Sequence, residues 1–146
     1  MAATETVVAC ISGYFDPLHV GHLEYISRSK ALAGPGGRLV VIVNNDHQAF
    51  LKKGRSFMPA KERVLIIRAL RDVDDVVESI DTDRTVCETI RRVHVEYGIT
   101  HFANGGDQFN TGIPEAPVCE ELGIHLVDSL GDKIQSSSWL TGLKKN

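Results

Sequence analysis

Five short segments of the chain favour β-strands, and longer stretches with helical spacing of apolar residues separate them. The first two, residues 7–12 and 38–43, are apolar and rich in β-branched residues, which predicts buried strands, and short strands are also expected over residues 75–78, 100–103 and 124–127. The intervening spacing predicts helices over residues 19–32, 59–71, 85–97 and 114–122, and a short one after residue 138. Strands that alternate with helices favour parallel pairing through right-handed crossovers.

The same spacing indicates which helix faces meet the sheet. In the helix over residues 19–32, Leu23, Ile26 and Leu32 are expected to cover that face, and Gly34 stops the helix. In the helix over residues 85–97, the buried face is expected to consist of Val86, Ile90, Val93 and Tyr97.

The segment after the second strand shows neither period. Residues 46–55 are mostly polar, so a loop is expected there. Pro59 then fits the first turn of the next helix, where its missing N–H leaves no hydrogen bond unmade.

Together these elements predict an α/β fold, a Rossmann-like three-layer α/β/α sandwich around a five-stranded parallel sheet. Length and the absence of any repeat or low-complexity linker favour a single domain over residues 1–146. Apolar residues make up 42% and charged residues 24% of the chain, which suits a packed core. The formal net charge of -3 argues against a dedicated nucleic-acid binder.

The cysteines and the first residues of the chain indicate the cellular compartment in which the protein is expected. Cys10, Cys87 and Cys119 form no CxxC pair, so neither a zinc site nor a disulfide framework is indicated. The first six residues lack a signal-peptide pattern, and no apolar run approaches the ~20 residues that span a bilayer. A cytoplasmic protein without membrane contact is expected.

Polar segments follow four of the predicted strands. Residues 13–22 follow the first, the lysine-containing loop follows the second, residues 104–107 follow the fourth and residues 136–138 follow the fifth. Ligands in parallel α/β sheets bind beyond the carboxyl ends of the strands. The sequence therefore predicts one site at this edge of the sheet.

The segment GYFDPLHVGH, residues 13–22, carries the clearest chemistry. His19 and His22 share one face of a helical first turn, where exposed N–H groups favour a phosphate. Two imidazoles there can donate hydrogen bonds to phosphoryl oxygens that gain charge in a transition state. Two alternatives stay open: a pair of capping or surface histidines, and a metal pair with Asp16 as a third ligand.

HVGH after a first strand resembles the HxGH signature of the cytidylyltransferase-like nucleotidyltransferases. That superfamily includes glycerol-3-phosphate cytidylyltransferases and heptose-phosphate adenylyltransferases. The resemblance implies that His19 and His22 stabilise the transition state at the α-phosphorus. It also implies that Tyr14, Phe15, Asp16 and Gly21 belong to the nucleotide-binding residues.

A local excess of positive charge follows the second strand. Residues 51–71 hold seven Lys or Arg against one acid, Glu62, which indicates an anionic ligand. The resemblance implies that Lys52 and Lys53 bind the acceptor phosphate, with Lys53 also catalytic, and that Arg63 binds the nucleotide. A solvated basic face is the alternative, above all for Lys61, Arg68 and Arg71.

Two later segments match further landmarks of the superfamily. Gly105, Gly106 and Asp107 resemble its G-G-D element, which implies contacts to the nucleotide. Ser136, Ser137 and Ser138 resemble its serine/threonine signature, and hydroxyls at a helix N-terminus can hold β- and γ-phosphates. A structural turn and a simple N-cap are the respective alternatives.

The expected function is transfer of a nucleotidyl group to a small phosphorylated or phosphonate acceptor, with release of pyrophosphate. CMP from CTP is favoured by a small margin, and ATP with a sugar phosphate is the alternative. Mg²⁺ is expected to arrive with the triphosphate, and the resemblance implies a homodimer. A non-catalytic nucleotide-binding module and a metal-dependent phosphohydrolase stay open as other classes.

Overall fold

Strands and helices alternate along the chain, as the apolar runs predict. The computed structural model describes residues 6–104 and 113–128. Within them, in chain order, lie β1 (Val8–Gly13), α1 (Val20–Ala33), β2 (Arg38–Val43), α2 (Asp46–Lys53), α3 (Ala60–Arg68), β3 (Asp75–Glu78), α4 (Cys87–Tyr97), β4 (His101–Asn104), α5 (Ala116–Leu122) and β5 (His125–Asp128).

The five strands form one parallel sheet in the order β3-β2-β1-β4-β5. The chain winds outward from β1 to β3 and then returns to the other side of β1, so the winding reverses between β1 and β4. Gly13 pairs with Val43, and Val43 pairs with Glu78. Three neighbouring strands therefore end level with one another, beside the point of reversal where α/β folds bind ligands.

Alternate strand residues face two separate cores, because successive side chains of a strand point to opposite faces. On β1, Ala9 and Ile11 pack with Ile26 of α1 and Ile67 of α3. On the other face, Cys10 packs in a second cluster with residues of α4 and α5, among them Ile90, Val93, Val118 and Cys119. Helices thus cover both faces, and the predicted three-layer α/β/α sandwich is confirmed.

Two local predictions are wrong. Residues 46–53 form α2 rather than a loop, because Asn45 caps the helix: its side chain accepts from the Gln48 N–H and the Gln48 side chain accepts from the Asn45 N–H. Leu23 is 43% exposed, whereas Ile26, Ser29 and Ala33 form the buried face of α1. Pro59 is the N-cap residue of α3 and lies just before its first turn.

Within the described ranges, no helix combines the length and the apolar character that crossing a bilayer requires.

Candidate active site

The turn after β1 is shaped by a close approach of backbone and ring. Phe15 has a positive φ of 51° and is 2% exposed, and its ring lies against Gly13. A Cβ at position 13 would come within 2.9 Å of that ring, so the tight turn requires glycine there. The Asp16–Pro17 peptide bond is cis. The edge of the Phe15 ring then supports His22, with ring centroids 5.0 Å apart.

His19 and His22 together cap the N-terminus of α1. The Nδ1 atom of His19 accepts from the Gly21 N–H at 3.1 Å, and the His22 Nδ1 accepts from the His19 N–H at 3.1 Å. The two rings stack with centroids 3.9 Å apart. The histidines occupy the positions of a capping box, in which imidazoles replace the usual hydroxyl and carboxyl groups.

This arrangement fixes the tautomer of both rings. A nitrogen that accepts a hydrogen bond from a backbone N–H cannot itself carry a proton. Each neutral imidazole therefore holds its proton on Nε2. The capping alternative considered from the sequence and the phosphate-donor interpretation are thus compatible, because capping uses Nδ1 and donation uses Nε2.

The protonation of His22 follows from its surroundings. Burial, together with the charge of neighbouring His19, lowers the pKa of His22 to about 4. His22 is consequently a neutral N–H donor at pH 7. A neutral donor can stabilise developing negative charge on a phosphoryl oxygen without first losing a proton.

Asp16 holds the segment before α3 against the histidine turn. Its buried carboxylate accepts from the N–H groups of Phe57 at 2.8 Å and Met58 at 2.6 Å. Lys53 lies 3.1 Å from the same carboxylate and also donates to the Asp16 carbonyl oxygen at 2.9 Å. Burial alone would raise the pKa of Asp16, but these hydrogen bonds and the lysine charge outweigh it and lower the pKa.

The structure places Arg63 inside the protein rather than on the ligand side. Its side chain is 1% exposed, and all five N–H donors have protein acceptors. The acceptors are the carbonyl oxygens of Tyr14, Asn44 and Met58, the Asp46 carboxylate and the Ser56 hydroxyl. The predicted direct contact of Arg63 with the nucleotide therefore does not fit this geometry, because no donor remains for a phosphate. Arg63 instead joins the turns after β1 and β2.

The other basic residues of the 51–71 segment separate by position. Lys52 and Lys53 end α2 at the carboxyl edge of the sheet, where the sequence predicts an acceptor phosphate. Lys61, Arg68 and Arg71 are exposed. The local excess of charge thus combines site lysines, one buried arginine and solvent-facing side chains.

Arg84 is a basic residue near Tyr14 that was not among the residues predicted from the sequence. It lies in the loop between β3 and α4; burial raises the pKa of the Tyr14 hydroxyl, and the charge of Arg84 opposes that rise. The ammonium of Lys52 lies over the ring of Tyr14, 4.4 Å from its centre. The sequence signal was available, because residues 79–86 follow the third strand as the other polar segments follow theirs.

Two predicted parts of the site lie outside the described residues. Gly105, Gly106 and Asp107 come directly after β4, and Ser136, Ser137 and Ser138 come after β5. Their predicted contacts to the nucleotide stay predictions. Tyr14, Phe15, Asp16 and Gly21 lie in or next to the histidine turn, at the carboxyl end of β1.

The described parts of the chain do not offer a cluster of metal ligands. Residues 6–104 and 113–128 contain no group of three or more His, Cys, Asp or Glu side chains arranged to hold a metal ion. Three of the remaining histidines, His94, His101 and His125, line a cavity of about 280 Å³ at the amino ends of β4 and β5. That cavity lies at the edge of the sheet opposite the histidine turn.

The sequence of this chain is similar to those of FAD synthases and of an ethanolamine-phosphate cytidylyltransferase. It is 38% identical over 101 residues to the FAD synthase of Thermococcus kodakarensis, an alignment that covers 68% of this chain and 62% of that protein. It is 31% identical over 98 residues to the ethanolamine-phosphate cytidylyltransferase of Arabidopsis thaliana, covering 66% of this chain and 23% of that protein. The chain spans between 51% and 62% of the length of three FAD synthases that it matches.

The fold has a counterpart among solved structures. A lipopolysaccharide core biosynthesis protein from Thermoplasma volcanium superimposes with a TM-score of 0.67 at 23% identity, covering 84% of this chain and 95% of that one. The family description that matches residues 10–128 is "Cytidylyltransferase-like". This region includes all five strands except the first residues of β1, together with the histidine turn. The chain belongs to the cytidylyltransferase-like family.

Proposed function

We propose that this protein transfers a nucleotidyl group from a nucleoside triphosphate to a phosphate oxygen of a small acceptor. The observation that carries the proposal is the reciprocal capping of His19 and His22, which uses both Nδ1 atoms and leaves both ring protons on Nε2. Two such donors at the N-terminus of α1 suit a phosphoryl group that gains charge. Family membership supports the same chemistry.

The proposed step is an in-line displacement at the α-phosphorus. An acceptor phosphate oxygen forms a new P–O bond, while the bond from the α-phosphorus to the bridging α–β oxygen breaks. Pyrophosphate leaves with that electron pair, and the product contains a new diphosphate linkage. The attacking oxygen already carries negative charge at neutral pH, so no general base is required. Positioning and charge stabilisation supply the rate enhancement.

Lys53 and Asp16 fit the positioning of the acceptor. Lys53 is held by the carboxylate and carbonyl of Asp16, which fixes its ammonium beside the histidine turn. The ammonium has three donors and uses two of them on Asp16, so one remains for a phosphate oxygen. Mg²⁺ enters this scheme as part of the triphosphate substrate, bound mainly by phosphates and water.

The nucleotide is the finer part of the proposal. FAD contains an adenylyl group, and the FAD synthases match this chain at up to 45% identity. This similarity favours ATP over CTP, which the sequence analysis preferred by a small margin. The cytidylyltransferase from Arabidopsis keeps CTP as the second candidate. We therefore propose adenylyl transfer first and cytidylyl transfer second.

The test is pyrophosphate release with each of four nucleoside triphosphates against a panel of acceptors. The panel contains FMN, ethanolamine phosphate, glycerol 3-phosphate and sugar phosphates. We expect turnover with ATP and one acceptor class. Triphosphate binding without pyrophosphate release from any pair would indicate a nucleotide-binding module instead. Release of inorganic phosphate that depends on added zinc or manganese would indicate a phosphohydrolase.

A further inference from the structure

Phe15 holds a backbone conformation that bulky residues rarely adopt. Its φ is 51°, and within the described part of the chain it is the one residue other than glycine with a positive φ. Glycine would adopt this φ without steric cost. Such conformations persist where the surrounding structure imposes them, and they cluster at functional sites. The phenylalanine at this position therefore indicates that its ring contributes to the turn.

The ring contacts both the end of β1 and the first turn of α1. Its Cζ atom is 2.9 Å from the place that a Cβ of Gly13 would take, so the ring fills the space beside that glycine. It also meets His22, with ring centroids 5.0 Å apart and planes at 68°. Phe15 belongs to the apolar cluster that includes Ile26 and Ile67. Only 2% of the residue is exposed, so the ring acts through its neighbours rather than on a ligand.

His22 is held by two rings and one hydrogen bond. The imidazole of His19 stacks on it with centroids 3.9 Å apart and planes within 24°, and Phe15 meets it at a steeper angle. The Nδ1 atom of His22 accepts from the His19 N–H at 3.1 Å. These contacts fix the position of the imidazole and its rotation. They therefore set the direction of the Nε2–H, which is the donor of the proposed reaction.

The same packing keeps water away from His22. Burial is the larger cause of its low pKa of about 4, and the charge of His19 is the second. The charged groups of the turn and of α2, Asp16 and Lys53, pair with each other at 3.1 Å. A protonated imidazole would lose the helix cap, because its Nδ1 would carry a proton and could not accept from the His19 N–H. Exclusion of water therefore protects the donor and the cap together.

We propose that Phe15 is a positioning residue for the transfer reaction: its ring packs His22 against His19, shields the His22 imidazole from water and fixes the direction of its Nε2–H. This role accounts for a phenylalanine where the backbone conformation favours glycine. The kinetic consequences rest on the proposed nucleotidyl transfer. The packing itself rests on the ring contacts and can be tested without turnover.

The first test follows the titration of the His22 imidazole by NMR. Phe15→Leu keeps an apolar side chain but removes the ring, so the pKa of His22 should rise from about 4 towards its ordinary 6.5. Phe102→Leu is the matched control, because Phe102 is 3% exposed in the apolar cluster on the other face of the sheet. It should leave the pKa of His22 at about 4. An unchanged pKa in Phe15→Leu, or an equal rise in both variants, would overturn the proposal.

The second test measures kcat and KM with the substrate pair that the panel of triphosphates and acceptors identifies. Phe15→Leu should lower kcat about 10-fold to 100-fold, as a small misplacement of a catalytic group does, and should change both KM values by less than about 3-fold. Phe102→Leu should keep kcat within about 2-fold. A loss confined to KM, or equal losses of kcat in the two variants, would contradict the positioning role.

The pH dependence of kcat adds a readout that loss of core packing alone does not change. Titration of the substrate phosphates affects every variant in the same way, so the ratio of kcat in Phe15→Leu to kcat in Phe102→Leu isolates the histidine. This ratio should fall as the pH decreases from about 8 to about 5.5, because His22 becomes protonated near its ordinary pKa only in Phe15→Leu. A ratio that is constant over this range would overturn the shielding role of the ring.

Phe15→Met supplies a second variant with nearly the volume of phenylalanine, and it gives a reading even where Phe15→Leu does not fold. Its His22 pKa should also rise and its kcat should also fall. A raised His22 pKa without turnover of any substrate pair would uphold the packing inference and remove the proposed function. Turnover together with an unchanged His22 pKa and kcat in both Phe15 variants would uphold the function and remove the inference.

Discussion

The imidazole of His22 accepts a hydrogen bond from the backbone N–H of His19, the residue three positions before it. The bond joins the structural and chemical roles of the turn, because it stabilises the helix start through Nδ1 and directs the ring proton to Nε2. A substitution that removes the whole ring would abolish the helix cap and the Nε2 donor together, so it could not separate the two roles. Substitutions that keep one nitrogen position and remove the other can separate them.

His22→Asn retains a polar atom near the Nδ1 position but has none at Nε2. We expect it to keep most of the cap, with a loss of unfolding free energy below about 1 kcal/mol, while kcat falls about 10²-fold to 10³-fold. His22→Ala should show the same loss of kcat and a larger loss of stability. Urea unfolding and steady-state kinetics measure the two effects. Equal stability of both variants would show that the cap contributes nothing.

The pH dependence of stability should carry a signature of His22. Its ordinary pKa is 6.5 and its folded pKa is about 4, so between these values the unfolded chain binds a proton that the folded chain does not. The unfolding free energy therefore falls as the pH decreases through this window. Urea unfolding at several pH values should show a shallower fall in His22→Asn than in the unsubstituted protein. Identical slopes would contradict a depressed pKa at His22.

Arg63 should matter for stability more than for triphosphate contacts. Arg63→Met leaves buried acceptors unpaired and should lower the unfolding free energy by about 3–5 kcal/mol, as loss of one partner of a buried charged network does. Arg68→Met, on the exposed face of the same helix, is the matched control and should change stability by less than about 0.5 kcal/mol. Chemical denaturation measures both. Similar small effects in the two variants would contradict the structural role of Arg63.

Asp16 should control local opening of the segment before α3. Asp16→Asn removes the charge that accepts from Phe57 and Met58, so these two amides should exchange their hydrogens at least about 10-fold faster. Because the folded pKa of Asp16 is lowered, its stabilisation is present above the ordinary value of 3.8 and is lost as the pH falls through the folded value. Hydrogen exchange read by NMR checks the first expectation. Amides of β5, an edge strand two positions from β1 in the sheet, serve as the internal control.

The sequence was sufficient for the fold because its signals are local and consistent. The strands β1 and β2 are short runs rich in β-branched residues, and the turns that follow β1, β2 and β3 lie at one edge of the sheet. The helix α2 was not predicted because only two of its residues, Gln48 and Ala49, are buried. The segment therefore has no helical period of apolar residues. The Asn45 and Gln48 pair was its one local signal, a capping box whose acceptor and donor lie three residues apart.

The contacts of Arg63 and the placement of Arg84 could be found only from the structure. Arg63 has a basic side chain in a basic segment, but its acceptors come from the ends of two strands and from the segment before α3. Arg84 is one charged residue in a polar loop, and the hydrogen bonds that fix it come from a helix about 36 positions earlier. Spacing within the sequence cannot show either set of contacts, since both depend on which segments the sheet brings together.

Nucleotidyl transfer is tested by following the fate of labelled phosphorus. The protein is incubated with its preferred acceptor and with triphosphate labelled at either the α- or the γ-phosphorus. Nucleotidyl transfer predicts that the α label appears in the acceptor product and the γ label in pyrophosphate, and that both transfers are slowed to the same extent in His22→Asn. Appearance of the γ label in the acceptor or in inorganic phosphate, with the α label retained in a nucleoside diphosphate, would contradict nucleotidyl transfer.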